Sequence, residues 1–154
     1  MQITKTRGFR LSIGFVLVVL MAALASAIGA SPALAFPAND LLSGCTGQYY
    51  NNTTLTGSPV LVRMDPSINF NWPQGTSPGP GVTVDHYSVS WTCSVNVATA
   101  GTYTFTMLAD DGMNLLVDGN LLIWAWYDQG PTSYSNSVSL SLSLIHISEP
   151  TRPY

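Results

Sequence analysis

The 154-residue chain predicts an all-β fold, an antiparallel β-sandwich or barrel, on three observations. After residue 36 no stretch carries apolar residues at helical spacing. Thr, Val, Tyr and Ser instead alternate in short runs, the two-residue period that sends one set of side chains to each face of a strand. Gly, Pro, Asn and Asp cut these runs at short intervals, as turns between strands require.

Each element follows from that pattern. Gly47 to Tyr50 reads as a first strand and residues 51–59 as a loop. Val60 to Arg63 is a short second strand, turned at Asp65-Pro66, and Ile68 to Trp72 is a further extended piece. Residues 73–81 hold too many Pro, Gly and Ser for regular structure. From Tyr87 to Val97 the alternation is clear: Tyr87, Val89, Trp91, Cys93, Val95 and Val97 share one face. After a turn at 98–101, Tyr103, Phe105 and Met107 point inward and Thr102, Thr104 and Thr106 outward. Leu115 to Val117 and Leu121 to Ile123 flank Asp118-Gly119, a hairpin signal because both residues tolerate positive φ. Residues 126–131 turn the chain, and Ser133 to Leu142 alternates once more. Trp72 and Trp91 are assigned to packing.

The two ends differ from this body. Lys5, Arg7 and Arg10 precede an uncharged apolar run from Leu11 to about Ile28. Gly29, Ser31 and Pro32 then break the pattern, and Ala33-Leu34-Ala35 offers small residues for cleavage. This is the layout of a signal peptide over residues 1–35, cut after Ala35. An uncleaved anchor is the alternative, although the run is at the short limit of a membrane span. Residues 36–43 form a linker and 44–142 the β domain. Residues 143–154, which include Ile145, His146, Glu149, Pro150 and Arg152, lack the texture of the body. They resemble a translated sequencing adapter and are expected to be a non-native tail. The natural chain would then continue further, and a sandwich cut short there would present an open edge.

Charge narrows the function classes. Between Phe36 and Leu142 the cation is Arg63, against Asp40, Asp65, Asp85, Asp110, Asp111, Asp118 and Asp128. No clustered Lys and Arg offer a nucleic-acid surface, nor a polybasic patch for anionic lipid. Carboxylates without cations suit a hard divalent ion such as calcium. Cys45 and Cys93 predict one disulfide in an exported chain, with two buried thiols as the alternative. Asn51 and Asn52 each begin an Asn-x-Thr sequon, relevant only where the host glycosylates secreted proteins.

Catalytic patterns are absent. His86 stands beside Asp85 but has no triad partner, and neither a Gly-x-Ser-x-Gly elbow nor a His-Glu-x-x-His zinc motif occurs. A glycosidase opposes two carboxylates across the scissile bond. The body between Phe36 and Leu142 has no Glu, and Asp110 and Asp111 are adjacent.

Several pieces line up in order: Gly47-Gln48-Tyr49-Tyr50, Asp65-Pro66-Ser67-Ile68-Asn69-Phe70, Val89-Ser90-Trp91-Thr92, and Ala100-Gly101-Thr102-Tyr103-Thr104-Phe105. Then follow Asp110-Asp111-Gly112, Leu116-Val117-Asp118-Gly119 and Trp126-Tyr127-Asp128-Gln129-Gly130. Over roughly Gly44 to Leu142 this set resembles the PA-fourteen domain, named after the N-terminal fragment of anthrax protective antigen. The resemblance implies a β-sandwich or barrel found in secreted glycosidases, adhesins and toxins, and often carbohydrate binding. In the adhesin branch a cis-linked Asp-Asp pair holds a calcium ion that contacts sugar hydroxyls. Carried over, this makes Asp110 and Asp111 metal ligands and Asp110, Asp111 and Gly112 a glycan-binding loop. The same tripeptide can equally serve as a plain capping loop.

The chain departs from the family pattern at Met113, Asn114 and Trp124, and the family's last strands, with the late loop that contributes to the adhesin calcium site, lie beyond the expected domain end. Trp126 matches the family position, which implies a core residue, while Trp124 has two readings: a platform for a sugar ring, or a cover on the edge of the core. The expectation is therefore a secreted or cell-surface, non-catalytic carbohydrate-binding module, calcium-assisted, from a larger protein. The alternatives are a structural or protein-interaction module, and an accessory domain of a secreted glycoside hydrolase.

Overall fold

A computed structural model describes residues 19–23, 34–35 and 44–152. Among these described residues there are ten strands: β1 (Val19–Ala23), β2 (Leu34–Ala35), β3 (Cys45–Tyr50), β4 (Leu61–Asp65), β5 (Ser88–Val97), β6 (Gly101–Ala109), β7 (Gly112–Val117), β8 (Asn120–Ala125), β9 (Thr132–Leu140) and β10 (Ser143–Arg152). They form two antiparallel sheets, one ordered β2-β1-β6-β9 and the other β4-β3-β5-β10-β7-β8. The all-β expectation holds. Among the described residues no helix is long and apolar enough to cross a membrane.

The core lies between the sheets and follows from strand alternation. Val89, Trp91, Cys93, Val95 and Val97 of β5 are buried, as are Tyr103, Phe105 and Met107 of β6. Facing outward on β6, Thr104 and Thr106 pair their hydroxyls with Ser137 and Ser135 of β9, each at 2.8 Å. Cys45 and Cys93 form a disulfide tying β3 to β5 across 48 residues of chain. By loop entropy alone a link of that span restrains the unfolded chain by about 4 kcal/mol. Asp118 and Gly119 adopt φ of 48° and 76°, the conformation a two-residue hairpin turn demands.

Three expectations about local structure are corrected. Ile68 to Trp72 is not a strand. It crosses the core as coil, with Phe70 and Trp72 stacked at 4.8 Å and Phe70 against Trp91 at 5.5 Å. Ring packing holds this segment in place without ladder hydrogen bonds. Trp126 is half-buried and lies outside the hydrophobic core.

The third correction concerns residues 143–154, expected to lie outside the fold. Residues 143–152 form β10, which runs between β5 and β7 in the middle of the six-stranded sheet. The reason is an alternation that the segment's foreign texture conceals: Ile145 and Ile147 are buried while Leu144 and His146 are exposed. With β10 in place, the facing edges of β5 and β7 are both paired. Its fit is imperfect, however. Glu149 is wholly buried opposite Trp91, and neither of its carboxylate oxygens has a hydrogen-bond partner.

Most of the expected leader, the linker 36–43, and residues 153–154 lie outside the described residues. Within residues 1–35, β1 pairs with β6 and β2 pairs with β1. Cleavage after Ala35 would leave β6 paired with β9 alone.

Candidate functional site

At one end of the sandwich the chain passes from β6 to β7 through Asp110 and Asp111. The peptide bond between them is cis, and both residues are buried. Gly112 opens β7 at a close backbone approach. A Cβ there would lie 3.0 Å from the Tyr127 nitrogen and 3.1 Å from Arg152 Nε. Only the absence of a side chain lets the segment after β8 pass this close.

That segment is locked onto the corner. The backbone N–H of Gln129 donates to Asp111 Oδ1 at 2.9 Å, and Gln129 Nε2 donates to the Asp111 carbonyl at 2.8 Å. Gln129 Oε1 accepts from Tyr134 Oη at 2.6 Å, so the Tyr127 hydroxyl donates in turn to Tyr134 Oη at 2.5 Å. The Tyr127 ring lies 5.8 Å from that of Trp124, tilted by 58°. A continuous chain of contacts thus runs from Asp111 through Gln129, Tyr134 and Tyr127 to Trp124.

Trp124 is exposed for a reason of register. Its neighbours on β8, Ile123 and Ala125, point into the core. Period-two alternation therefore turns the indole outward, where it is 61% exposed. Across the hairpin it pairs with Asn114, whose Oδ1 accepts from the Ala125 N–H at 3.3 Å. Trp124, Asn114 and Trp126 line an open cavity of about 300 Å³, together with Thr54, Leu55 and Pro150. The Arg152 guanidinium lies 5.8 Å over the Trp126 ring and pairs with Asp128 at 2.8 Å.

The residues singled out from the sequence are therefore connected. Asp110, Asp111 and Gly112 form one corner, and Trp124 stands at the other end of a tyrosine–glutamine relay. Gln129, Tyr127 and Tyr134 were missed as members of the site. The run Trp126-Tyr127-Asp128-Gln129-Gly130 pointed to the loop but not to its bonding. His86 stays at the surface, 3.3 Å from Asp85.

The donor set at the corner can be compared with the needs of calcium, six to eight oxygens. Asp110 and Asp111 supply the carboxylate part. Asp111 Oδ1 already accepts an amide hydrogen, and nearby Asp128 is paired with Arg152. Among the described residues no three His, Cys, Asp or Glu side chains cluster as metal ligands. The corner fits calcium in part, and the rest of the shell would have to come from backbone carbonyls, water and ligand hydroxyls.

Known proteins share this architecture. The chain is 44% identical over 98 residues to the anti-sigma-I factor RsgI3 of Acetivibrio thermocellus, covering 64% of this chain and 15% of that protein's length. A solved anti-sigma factor domain-containing protein matches at 37% identity and a TM-score of 0.66, over 73% of this chain and 39% of the other. The PA14 domain of the MpAFP antifreeze protein matches at 18% identity and a TM-score of 0.55, over 83% and 79%. That last likeness bears on the fold alone. The profile of the PA14 domain matches residues 41–145, and with the sandwich and the ordered motifs in place, the chain belongs to the PA14 domain family.

Proposed function

We propose that the chain is an exported, non-catalytic carbohydrate-binding module of a larger extracellular or cell-surface protein, with calcium as an accessory ion at Asp110 and Asp111. The observation that carries this reading is the corner itself. Two adjacent, buried carboxylates sit at the rim of the sheet and connect through Gln129 and two tyrosines to an exposed indole. Carboxylates accept from sugar hydroxyls, directly or through a hard cation. An amphipathic ring offers the apolar face that a pyranose covers. Neither group is placed for bond cleavage, since the two aspartates are not opposed across a cleft.

Binding to a glycan array, with and without chelator, tests the reading as a whole. Calorimetry of the full chain with calcium chloride tests the ion. With two carboxylates in the shell, a Kd in the range of about 10⁻⁴–10⁻³ M is expected, that of extracellular modules. Asp111→Ala is expected to abolish the heat. No heat from the wild type would remove calcium from the proposal.

A second reading is supported by the comparisons, because both a curated relative and a solved structure that the chain matches carry anti-sigma factor names. In that reading the module is the ligand-binding part of a regulatory protein whose remaining domains act on a sigma factor. The chain spans 15% of the curated relative it matches, so this partner belongs to the wider gene product. Identification of the domains adjoining the module in its natural gene decides between this context and that of an accessory domain of a glycoside hydrolase.

A further inference from the structure

The cavity beside Trp124 differs in chemistry from the Asp110–Asp111 corner. Its lining of Thr54, Leu55, Asn114, Trp124, Trp126 and Pro150 contains no charged side chain. The aromatic surface is supplied by Trp124, 61% exposed, with the half-buried Trp126 beside it. Polar contact comes from the Thr54 hydroxyl and from the Asn114 carboxamide. With Asn114 Oδ1 engaged by the Ala125 N–H, its NH₂ is the group that can donate to a ligand hydroxyl.

The far wall is held firmly in position. Asn52 Oδ1 accepts from Thr54 N, Thr54 Oγ1 and Thr56 N at 3.0–3.1 Å, and its Nδ2 donates to the Thr56 carbonyl. Leu55 N–H donates to Ser88 Oγ at 3.2 Å, and Ser88 Oγ donates to the Asn52 carbonyl at 2.6 Å. These bonds keep Leu55 at φ 57°, a left-handed backbone that a bulky residue adopts only when its surroundings impose it. The loop thus presents Leu55 and Thr54 across from the indoles as a preformed wall.

We propose that this cavity is a calcium-independent subsite for a neutral polysaccharide, in which a pyranose ring covers Trp124 while Asn114 and Thr54 bond its hydroxyls. The inference rests on the carbohydrate reading above and gives it a substrate class. The lining itself offers no counter-charge to a uronate or sulfate group, and Arg152 beside Trp126 is already paired with Asp128. The volume of about 300 Å³ is at the lower limit of small-molecule sites, room for about one ring, and its open side lets a chain continue. The cavity lacks the carboxylates that a calcium shell requires, so a chelator leaves it unaffected.

The test is a titration of the full chain with galactomannan, xyloglucan and mixed-linkage β-glucan in EDTA, followed by tryptophan fluorescence, with polygalacturonate as the charged counterpart. Binding of a neutral polymer in EDTA is expected, weakened at least tenfold by Trp124→Ala. Leu121→Ala, an exposed change on the same strand outside the cavity, is expected to bind as wild type. Matching urea melts would show that Trp124→Ala is folded. Unchanged affinity of Trp124→Ala, or preference for polygalacturonate, overturns the subsite. Binding that requires calcium and is lost in Asp111→Ala overturns it too, while the broader carbohydrate reading stands. Absence of binding under every condition overturns both.

Discussion

Asp65→Ala is expected to destabilise the domain by about 2–6 kcal/mol, chiefly because it strips two buried donors of their acceptor. Asp65 is 3% exposed at the end of β4. Its Oδ2 accepts from Tyr49 Oη at 2.6 Å and Trp91 Nε1 at 2.8 Å, and its Oδ1 accepts from Arg63 Nε at 2.5 Å. Truncation orphans two buried donors, each costing about 1–3 kcal/mol. It also frees Arg63, whose guanidinium lies 4.6 Å over the Tyr49 ring. Burial first, and then the bond to Asp65, raise the Tyr49 hydroxyl far above the ordinary tyrosine range, so Tyr49 acts as donor at every accessible pH. Urea unfolding followed by tryptophan fluorescence measures the loss. Tyr49→Phe, which removes one donor and leaves the carboxylate two others, is expected to cost about 1 kcal/mol. A loss below about 1 kcal/mol for Asp65→Ala would contradict the network.

Glu149→Leu is expected to act in the opposite direction and stabilise the chain at pH 7.5 by roughly 2 kcal/mol or more, the lower end of the cost of burying an unbonded polar group. Glu149 is 0% exposed and both of its oxygens lack partners. Desolvation pushes its pKa well above the usual carboxylate value. The sign for pH dependence follows. In the unfolded chain the group ionises near about 4.3, while in the folded chain it holds its proton to higher pH. The folded state therefore binds more protons above that value, and stability falls as pH rises toward the folded pKa. The gain from Glu149→Leu is expected to shrink between pH 7.5 and pH 4, and Glu149→Gln is expected to remove this part of the pH slope. Thermal melts of the three proteins at both pH values check it. At several degrees per kcal/mol for a domain of this size, the shift at pH 7.5 is about 10 °C. An equal Tm for wild type and Glu149→Leu at pH 7.5 would contradict the placement of β10. An acid in that position marks a strand whose sequence does not match its slot. The PA14 profile also stops at residue 145, while β10 runs on to Arg152.

The sequence and the structure agree where one physical rule decides the outcome. Strand alternation in β5 and β6, and positive φ at Asp118-Gly119, each follow from local rules and were legible residue by residue. Asp65 was visible only as a turn residue, because its role depends on Tyr49 and Trp91, 16 and 26 positions away. Ile68 to Trp72 has the composition of a strand, yet ring stacking rather than pairing holds it. β10 was hidden because its alternation extends over Leu144 to Ile147 within an otherwise foreign string. At the site, the Asp-Asp-Gly corner and Trp124 were legible as residues with a chemistry. The relay joining them was not, since Gln129, Tyr127 and Tyr134 have no pattern of their own. Trp126 was misread as core because the family position outweighed the local alternation: with Ile123 and Ala125 inward, Trp126 falls on the same outer side as Trp124.

The central claim is that the module binds glycans through the end of the sandwich that carries Asp111 and Trp124. A glycan array probed with the full chain in calcium, alongside Asp111→Ala and Trp124→Ala, tests it most directly. Retention of the wild type on at least one class of polysaccharide, with the signal reduced tenfold or more in one or both variants, is the predicted result. Silence of the wild type across plant, microbial and host glycans, or binding that neither substitution alters, would contradict it.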